Sequence, residues 1–276
     1  MILANQGIFD HGFMMAKTPN PARVPSDPEV SVAAASCDAL AEARSVAVAL
    51  SLPFADLGET QGLQLVVSET EAWLDLSGTK VAIQFDSGAM LHRRRGGQNE
   101  LLGRAVGVKA GKCPAVFDAT GGLGRDAFVL ADLGCEVTLC EQAPVLHWLL
   151  QRALASASVS RHDSVRGAAA RMRLIAGNSE NQSVPPASVI YLDPMFPERK
   201  KVAAVKKEAQ ALQAVSLSHD QGAALWQWAW QQPVERIVVK RPLRAPLLGR
   251  ETPSHSLSGR SVRYDVFVRS ARSEGV

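Results

Sequence analysis

Three features that the sequence lacks exclude whole classes of protein. The four cysteines, Cys37, Cys113, Cys135 and Cys140, form no C-x-x-C pair and have no histidine at metal-ligand spacing beside them, so no zinc site is expected. The chain has no uncharged apolar run of the roughly 18 residues that a membrane-spanning helix needs. Its net charge is only +3, so overall charge gives no sign of a polyanionic partner.

The remaining composition is that of an ordinary globular protein. The 276 residues are 46% apolar and 21% charged, which suits one large domain with a small extension. The cysteines are expected to be reduced thiols, as is usual in the cytoplasm, and the cytoplasm is therefore the expected location. Residues 1–17 lack a basic start and interrupt their apolar run with Asp10 and His11, so they are not expected to be a signal peptide.

The first 90 residues predict a flexible segment followed by a small α+β subdomain. Residues 18–30 contain four prolines, which is typical of an extended linker, and residues 1–30 are predicted to be flexible. The alanine- and valine-rich residues 31–50 predict a helix. The subdomain is predicted to span residues 31–90. Short alternating runs predict the strands of its small antiparallel sheet, at residues 63–67, 73–76 and 81–85.

From about residue 113 the pattern changes to strands that alternate with helices. Such alternation predicts a mostly parallel sheet covered on both faces, the α/β class. The predicted strands are residues 115–117, 136–140, 172–176, 188–192 and 236–239, with a terminal antiparallel strand at 262–268. The predicted helices are residues 125–133, 144–157, 203–216 and 222–231. Residues 91–276 are therefore predicted to form one Rossmann-like domain.

A glycine-rich turn follows the first strand of this domain, in the sequence FDATGGLGRD at 117–126. Gly122 and Gly124 have no Cβ, so a ligand can approach the backbone closely and the turn can adopt positive φ angles. The N-terminus of the next helix supplies N–H groups that have no partner within the helix. Asp118 stands where a carboxylate can meet a cationic or amino end of a ligand.

A second acid, Glu141, follows the next predicted strand. In this position a carboxylate accepts hydrogen bonds from both hydroxyls of an adenosine ribose. The layout fits two cofactors, because Gly122-x-Gly124-x-x-Ala127 also matches the dinucleotide fingerprint of nicotinamide enzymes. A tight turn without a ligand is the structural alternative, and the spacing to Glu141 argues against it.

The most specific segment is VIYLDPMFP at 189–197, where an apolar strand ends in an acid and enters a proline-stiffened loop. The Asp193 carboxylate and the Pro194 carbonyl can accept both N–H groups of an aromatic amine and turn its lone pair toward an electrophilic methyl. Phe196 can stack on a base that has left its helix. A dehydrogenase needs no such loop, so the motif favours methyl transfer from S-adenosylmethionine (SAM). In the alternative, Asp193 only caps a helix and Phe196 is part of the core.

The chain resembles the bacterial ribosomal RNA small-subunit methyltransferase J family over residues 88–268. The resemblance is carried by GAMLHRRRGGQNELLGRAVG, DATGGLGRDAFVLADLGCEVTLCE, VIYLDPMFPERKKVAAVKKE and RIVVKRP. It implies a Rossmann-like SAM-dependent methyltransferase fold, with the small α+β part as an N-terminal extension. It also implies methylation of the exocyclic N2 amine of a guanine in 16S ribosomal RNA. The implied partner is this RNA or the small ribosomal subunit, with no membrane and no metal.

The motifs and the resemblance together give the predicted residues of the site, and the resemblance adds Arg125, Asp126, Gln142, Asn178 and Ser179. The predicted cofactor contacts are Asp118, Gly121, Gly122, Gly124, Arg125, Asp126, Glu141, Gln142, Asn178, Ser179 and Asp193. The residues predicted to hold the target amine are Asp193, Pro194 and Phe196. Three positions depart from the pattern of the family, since Gly121, Gln142 and Asn178 stand where alanine, arginine and serine are common. Each of the three keeps its loop small or polar.

Positive charge gathers beside these motifs and predicts contacts with RNA. Phosphate contacts from such cations supply affinity that does not depend on sequence. A solvated surface without a partner is the alternative for each of them. The predicted RNA contacts are Arg93, Arg94, Arg95, Arg199, Lys200, Lys201, Lys240 and Arg241.

Two other functions stay open from the sequence. The same acidic-proline loop serves adenine and glutamine nitrogens in other families, so a SAM-dependent N-methyltransferase acting on another base or on a protein amide is the enzymatic alternative. A protein that binds SAM or RNA without turnover is the non-catalytic one. The presence of Asp193, Phe196 and the glycine turn argues against the second.

Overall fold

The computed structural model describes residues 30–59, 62–90, 97–184, 189–194, 203–215 and 222–269. For residues 97–100 and 203–207 it describes the backbone. Several predictions fall outside the described residues: the flexible segment at 1–30, apart from Val30, and the side chains Arg93, Arg94, Arg95, Phe196, Arg199, Lys200 and Lys201.

A four-stranded sheet with one helix forms the N-terminal part of the described chain. Its strands lie in the order β1-β2-β3-β4. The first two strands are parallel, and the later pairs are antiparallel. A helix crosses between the parallel pair, as a parallel connection requires. The elements are β1 (Val30–Ala34), α1 (Leu40–Leu50), β2 (Leu63–Val67), β3 (Ala72–Leu76) and β4 (Thr79–Ala82).

One sequence prediction for this part of the chain was wrong, and another was incomplete. Residues 31–50 are not one helix, because residues 31–34 belong to β1 and the helix begins only at Leu40. The predicted antiparallel pairing is confirmed for β2, β3 and β4, and the unpredicted strand β1 joins this sheet in parallel beside β2. The valines of β1 suit a strand, and a bend at residues 35–37 separates it from the helix. Ser36 Oγ accepts a hydrogen bond from the Ala39 backbone N–H at 3.2 Å in that connection.

A larger sheet occupies the rest of the described chain and has seven strands, in the order β10-β11-β9-β8-β5-β6-β7. Its strands are β5 (Val116–Asp118), β6 (Val137–Glu141), β7 (Met172–Ala176), β8 (Val189–Leu192), β9 (Arg236–Pro242), β10 (His255–Ser258) and β11 (Val262–Val268). The first five are mutually parallel, and β11 pairs antiparallel with both β9 and β10. The helices are α2 (Gly97–Val106), α3 (Arg125–Asp132), α4 (Pro144–Ser158), α5 (Asp163–Ala170), α6 (Ala203–Val215) and α7 (Gly222–Gln231).

This topology confirms the predicted α/β fold and locates a crevice. The chain runs outward from β5 through β6 and β7, and then returns to place β8 on the other side of β5. Ligands of open α/β sheets bind at the carboxyl ends of the strands where the order reverses in this way. The reversal therefore lies between β5 and β8, which end at Asp118 and Leu192.

The two sheets share apolar contacts. Leu65 and Leu74 of the small sheet lie in the same buried cluster as Leu146 and Leu149 of α4. Helix α6 packs on β3 and β4, and its Ala211 is fully buried in this cluster. The predicted division of the chain at about residue 90 stays a prediction.

Candidate active site

The glycine turn between β5 and α3 folds against the end of β6. The Gly121 N–H donates to the Cys140 carbonyl at 2.8 Å, and the Gly124 N–H donates to the Gly121 carbonyl at 2.7 Å. Gly122 has a φ of +52° and Gly124 a φ of +66°, which is the left-handed region that favours glycine. A Cβ on Gly124 would also lie 2.7 Å from Leu150 Cδ2, so this position has no room for a side chain.

Glu141, the last residue of β6, is tied to this turn through both carboxylate oxygens. Its Oε2 accepts the Gly122 N–H at 2.6 Å, and its Oε1 accepts the Ala143 N–H at 2.7 Å. Burial raises the pKa of the Glu141 carboxyl, and these backbone N–H groups act in the opposite direction. The carboxylate is therefore oriented before any ligand binds, with acceptor capacity remaining on both oxygens.

The connection after β7 brings two further predicted residues to the same edge. Asn178 Oδ1 accepts the Glu180 N–H at 2.9 Å and so caps a short 3-10 turn, Ser179–Asn181. Ser179 Oγ donates to the Ala119 carbonyl at 2.8 Å. This bond joins the loop after β7 to the loop after β5.

Thr120 links the two central strand ends. Its N–H and its Oγ1 lie 2.9 Å and 3.1 Å from Asp118 Oδ1, and its Oγ1 also accepts the Asp193 N–H at 2.8 Å. Burial raises the pKa of Asp118 to about 7, with Asp126 and Asp193 adding to the rise and Thr120 opposing it. Sequence reasoning missed Thr120, because a threonine in a glycine turn carries no signal of its partners.

Lys240, near the end of β9, lies between two carboxylates. Its Nζ is 2.7 Å from Asp126 Oδ2 and 2.7 Å from Asp193 Oδ2. The buried Tyr191 hydroxyl donates to the same Asp126 Oδ2 at 2.7 Å. Burial alone would lower the pKa of Lys240, but the two carboxylates outweigh it and the pKa lies above its ordinary value.

The positions of Lys240 and Arg241 correct two of the predicted RNA contacts. Arg241 is 3% exposed, and its guanidinium donates to the Pro246 carbonyl, with Nε at 3.0 Å. Burial lowers the pKa of Arg241 to about 10, and neighbouring Arg263 adds to this. Consecutive side chains on a strand point to opposite faces, and both faces of β9 are covered, since Val238 is buried in one apolar cluster and Val239 in another. Arg241 is therefore buried, and Lys240, whose side chain is 18% exposed, is held between Asp126 and Asp193 rather than at the outer surface.

One cavity of about 410 Å³ collects these groups at the carboxyl edge of the large sheet. All eleven residues predicted to contact the cofactor line it, together with Pro194 and Lys240. Helices α4, α6 and α7 supply wall residues that sequence reasoning missed, since nothing in a helix sequence marks a residue as facing a ligand. They are Leu146, Glu208, Leu212, Gln213, Gly222 and Leu225.

An ion pair spans the wall of this cavity. Arg125 Nη1, in the first turn of α3, lies 2.6 Å from Glu208 Oε1 of α6. Both side chains remain partly exposed, at 42% and 31%. The pair connects the glycine turn to the helix that packs on the small sheet.

The chemistry of the cavity suits a ligand with a cationic part and a vicinal diol. Asp126 and Asp193 flank the Lys240 ammonium, Asp118 lines the same cavity, and Glu141 offers two oriented oxygens at the end of β6. The cavity is in the size range of small-ligand sites, roughly 300–1,000 Å³. No group of three or more metal-binding side chains occurs among the described residues. None of the helices in the described ranges is long and apolar enough to cross a membrane.

Comparisons with known proteins agree with this chemistry. Residues 50–269 match the SAM_MT family, described as "Putative SAM-dependent methyltransferase". The ribosomal RNA small subunit methyltransferase J of Pseudomonas aeruginosa is 42% identical over 257 residues, which cover 90% of this chain and 98% of the relative. The protein of that name from Cellvibrio japonicus is 43% identical over 219 residues, covering 74% of this chain and 82% of the relative.

A solved structure supports the same assignment. The crystal structure of a SAM-dependent methyltransferase from Neisseria gonorrhoeae superposes with a TM-score of 0.67 at 31% sequence identity. The match covers 89% of this chain and 98% of that chain. SAM is therefore the cofactor, and the nicotinamide alternative is excluded. The chain belongs to the family of SAM-dependent methyltransferases whose curated members are named ribosomal RNA small subunit methyltransferase J.

Proposed function

We propose that this SAM-dependent methyltransferase methylates the exocyclic N2 amine of a guanine in 16S ribosomal RNA. The observation that carries the proposal is the junction of two strand ends, where the Asp193-Pro194 loop meets the glycine turn through the Thr120 hydroxyl. This junction brings an acceptor for an amine next to the lining of the predicted cofactor site. The cytoplasm, where ribosomal RNA is modified in bacteria, is the proposed location.

The residues that line the cavity fit SAM. Glu141 has the orientation to accept the ribose hydroxyls, and Gly122 leaves its backbone open to a close approach. Asn178 and Ser179 would lie at the adenine, while the carboxyl groups of Asp118, Asp126 and Asp193 would face the cationic end. Bound there, SAM supplies the electrophilic methyl group.

The contribution of the protein to catalysis is proposed to come from the two groups that accept hydrogen bonds from the target amine. An exocyclic amine on a purine is a weak nucleophile, because its lone pair is delocalised into the ring. The Asp193 carboxylate and the Pro194 carbonyl would accept its two N–H groups and direct the lone pair out of the ring plane. Orientation and electrostatics of this kind lower the barrier without a strong base. Phe196 is proposed to stack on the guanine and lies outside the described residues.

The choice of ribosomal RNA as substrate follows from the relatives. Proteins of 42–43% identity that align with most of this chain carry the name ribosomal RNA small subunit methyltransferase J. We extend that substrate to this chain and retain the proposed RNA contacts at Arg93, Arg94, Arg95, Arg199, Lys200 and Lys201. The partner would be 16S ribosomal RNA or the small ribosomal subunit.

A methyl-transfer assay tests the proposal. The full chain is incubated with tritiated SAM and with either small ribosomal subunits or 16S RNA from cells that lack this modification, and the labelled nucleoside is identified after digestion. Label on guanine N2 is expected. Label on adenine or on protein would support the enzymatic alternative, and absence of label on every substrate would support binding without turnover.

Asp193→Asn is the matched active-site variant. It keeps the shape of the side chain but offers an amide where the carboxylate accepted the amine, so we expect kcat to fall by about 100-fold or more. Asp163→Asn is the control, because Asp163 is an exposed carboxylate on α5. An Asp193→Asn enzyme that turns over at the wild-type rate would remove Asp193 from the proposed mechanism.

A further inference from the structure

We propose that Lys240 is a positioning residue, which keeps the Asp193 carboxylate ionised and aligned to accept the target amine, and that Asp126 holds Lys240 in place. The inference rests on the proposed function of Asp193. It assigns to Lys240 a role inside the cavity, whereas its charge alone had suggested a contact with RNA.

Three elements converge to build this arrangement. Asp193 follows β8, Lys240 lies near the end of the adjacent strand β9, and Asp126 lies in the first turn of α3. The ammonium is 2.7 Å from one oxygen of each carboxylate. The side chains of Lys240 and Asp126 are 18% and 8% exposed, and that of Asp193 is 36% exposed toward the cavity. The ion pair is therefore shielded on the Asp126 side and accessible on the Asp193 side.

Tyr191 fixes the far end of the arrangement. It is 1% exposed, and its hydroxyl donates to the same Asp126 oxygen that Lys240 contacts. Asp126 is thus held by two donors from the central strands, and the Lys240 ammonium has a fixed anchor. A flexible lysine side chain becomes a rigid support when its end is anchored in this way.

The carboxyl groups near Asp193 oppose its ionisation, and the Lys240 ammonium favours it. Among the residues that the structure describes, the Asp118 and Asp126 carboxyls, the Tyr191 hydroxyl and the Lys240 ammonium are ionisable groups that act on Asp193. Without Lys240, the Asp118 and Asp126 carboxyls would act on Asp193 without the opposing charge of this ammonium, and their repulsion would favour protonation of Asp193. A protonated Asp193 would present a donor to the amine, and the proposed orientation of the amine would be lost.

Lys240 is not suited to take a proton itself. Its two carboxylate neighbours raise its pKa above the ordinary value, so the ammonium persists throughout the pH range of an enzyme assay. It therefore acts through Asp193, by charge and by position.

The test compares the pH dependence of kcat for the wild type, Lys240→Met and Lys240→Arg in the methyl-transfer assay. For Lys240→Met we expect kcat at pH 7 to fall by about 100-fold and the acid limb of the profile to move up by about one pH unit or more. Lys240→Arg keeps the charge, so its acid limb should stay near that of the wild type. SAM affinity, measured separately by calorimetry, shows whether the cavity is still formed.

A second substitution, at Asp126, distinguishes the loss of the Lys240 charge from the change in the shape of its side chain. Asp126→Asn in the Lys240→Met background removes one of the two carboxylates that Lys240 contacts in the wild type, so the acid limb should move back toward the wild-type position. If Lys240→Met fails to fold, Asp126→Asn alone can be tested. Because it removes a negative charge near Asp193, the acid limb of its pH profile should move to lower pH. Lys80→Met, at a lysine that pairs with Glu71 on the small sheet, is the control and should behave as wild type.

Two outcomes would overturn the inference while leaving the proposed function intact. In the first, the wild type methylates RNA and Lys240→Met has an unshifted acid limb. In the second, Lys240→Met loses the same fraction of kcat at every pH and Lys240→Arg does not restore it, which is the behaviour of a purely structural residue. Absence of turnover by the wild type would instead contradict the proposed function.

Discussion

Burial and hydrogen bonding shift the pKa of the Asp118 carboxyl group in opposite directions. Burial raises its pKa from 3.8 to about 7 in the folded protein. As pH rises through this interval the unfolded chain loses the proton first, so the group lowers the free energy of unfolding over that range. Below pH 4 both states are protonated and the penalty is absent.

Asp118→Asn should remove this penalty. Asparagine keeps an oxygen for the Thr120 N–H and hydroxyl but carries no charge, so the variant should be more stable than the wild type at pH 8 and lose that advantage near pH 4. The difference is at most about 4 kcal/mol, since one pKa unit corresponds to about 1.4 kcal/mol. Urea unfolding of the SAM-free protein at both pH values measures it. A variant less stable than the wild type at pH 8 would contradict the assigned cause.

The same residue predicts a pH dependence of cofactor binding. A cation near Asp118 favours the ionised carboxyl, so binding of SAM should release a proton and tighten between pH 6 and pH 8. The demethylated product S-adenosylhomocysteine lacks the sulfonium charge, and its affinity should change less. Calorimetry in buffers of different ionisation enthalpy measures both quantities. In Asp118→Asn the pH dependence should disappear, and its persistence there would assign it to another group.

At the scale of elements, the glycine turn combines backbone and packing requirements that a matched pair of variants can separate. Gly122 and Gly124 both have positive φ, but a Cβ on Gly122 would meet only the Thr120 carbonyl, at 3.7 Å. A Cβ on Gly124 would clash with Leu150. Gly124→Ala should therefore destabilise the protein more than Gly122→Ala, by about 1–3 kcal/mol, the usual cost of overpacking. Equal losses in urea unfolding would mean that backbone strain alone decides both positions.

The loop after β9 carries exposed arginines, whereas Lys240 of β9 lines the cavity and Arg241 is buried. Arg241 holds the Pro246 carbonyl, Arg263 Nη1 donates to the Leu243 carbonyl at 2.7 Å, and Trp226 Nε1 donates to Glu251 at 2.6 Å. These bonds fix a loop on which Arg244 and Arg250 are exposed. The loop follows the strand that carries Lys240 into the cavity, and Leu248 lies against Gly222 in the wall of that cavity.

If RNA is the substrate, reversal of both charges should weaken its binding. Arg244→Glu with Arg250→Glu should lower the affinity for 16S RNA and reduce the slope of log affinity against log salt by about 2, one unit for each phosphate that is no longer neutralised. SAM affinity should not change. Arg161→Glu with Arg173→Glu makes the same change in net charge at two other exposed arginines and serves as the control. Equal decreases in RNA affinity in the two double variants would show that net charge alone is responsible.

The sequence predicted best those helices and strands whose local residue pattern clearly favours one type of secondary structure. The helix Gly222–Gln231 and the strands Met172–Ala176 and Val262–Val268 have the predicted bounds. β1 was missed because its five residues, VSVAA, merge into an alanine-rich stretch that favours a helix, and only pairing with the distant β2 makes it a strand. Tertiary context overrides local propensity in such short segments.

In the site, too, the features that depend on local sequence were predicted, and those that depend on contacts between distant segments were not. Asp118, Glu141 and Asp193 were predicted because each stands at or just after the end of an apolar strand, and parallel strands bring those ends to one edge. The partners of these acids were not predicted. Whether Lys240 points inward or outward depends on which elements cover β9, and the pairing of Arg125 with Glu208 depends on the path of α6.

At the scale of the whole molecule, the cavity connects the two sheets. One wall is the carboxyl edge of the large sheet, and another is α6, which packs on the small sheet through its buried Ala211. Leu65 of β2 and Leu146 of α4 lie in one apolar cluster, and Leu146 also lines the cavity. The small sheet therefore supports part of the cavity wall, although no residue of its described strands lines the cavity.

This shared core predicts that the two sheets unfold together. Leu65→Ala removes a fully buried side chain from the small sheet and should cost about 2–5 kcal/mol. Hydrogen exchange followed by mass spectrometry should show the same loss of protection in the peptides that contain β2 and β6, although β6 lies in the other sheet. Val48→Ala, at a side chain that is 81% exposed, should leave both peptides unchanged. If β6 keeps its full protection in Leu65→Ala, the sheets unfold independently and the division near residue 90 is a true domain boundary.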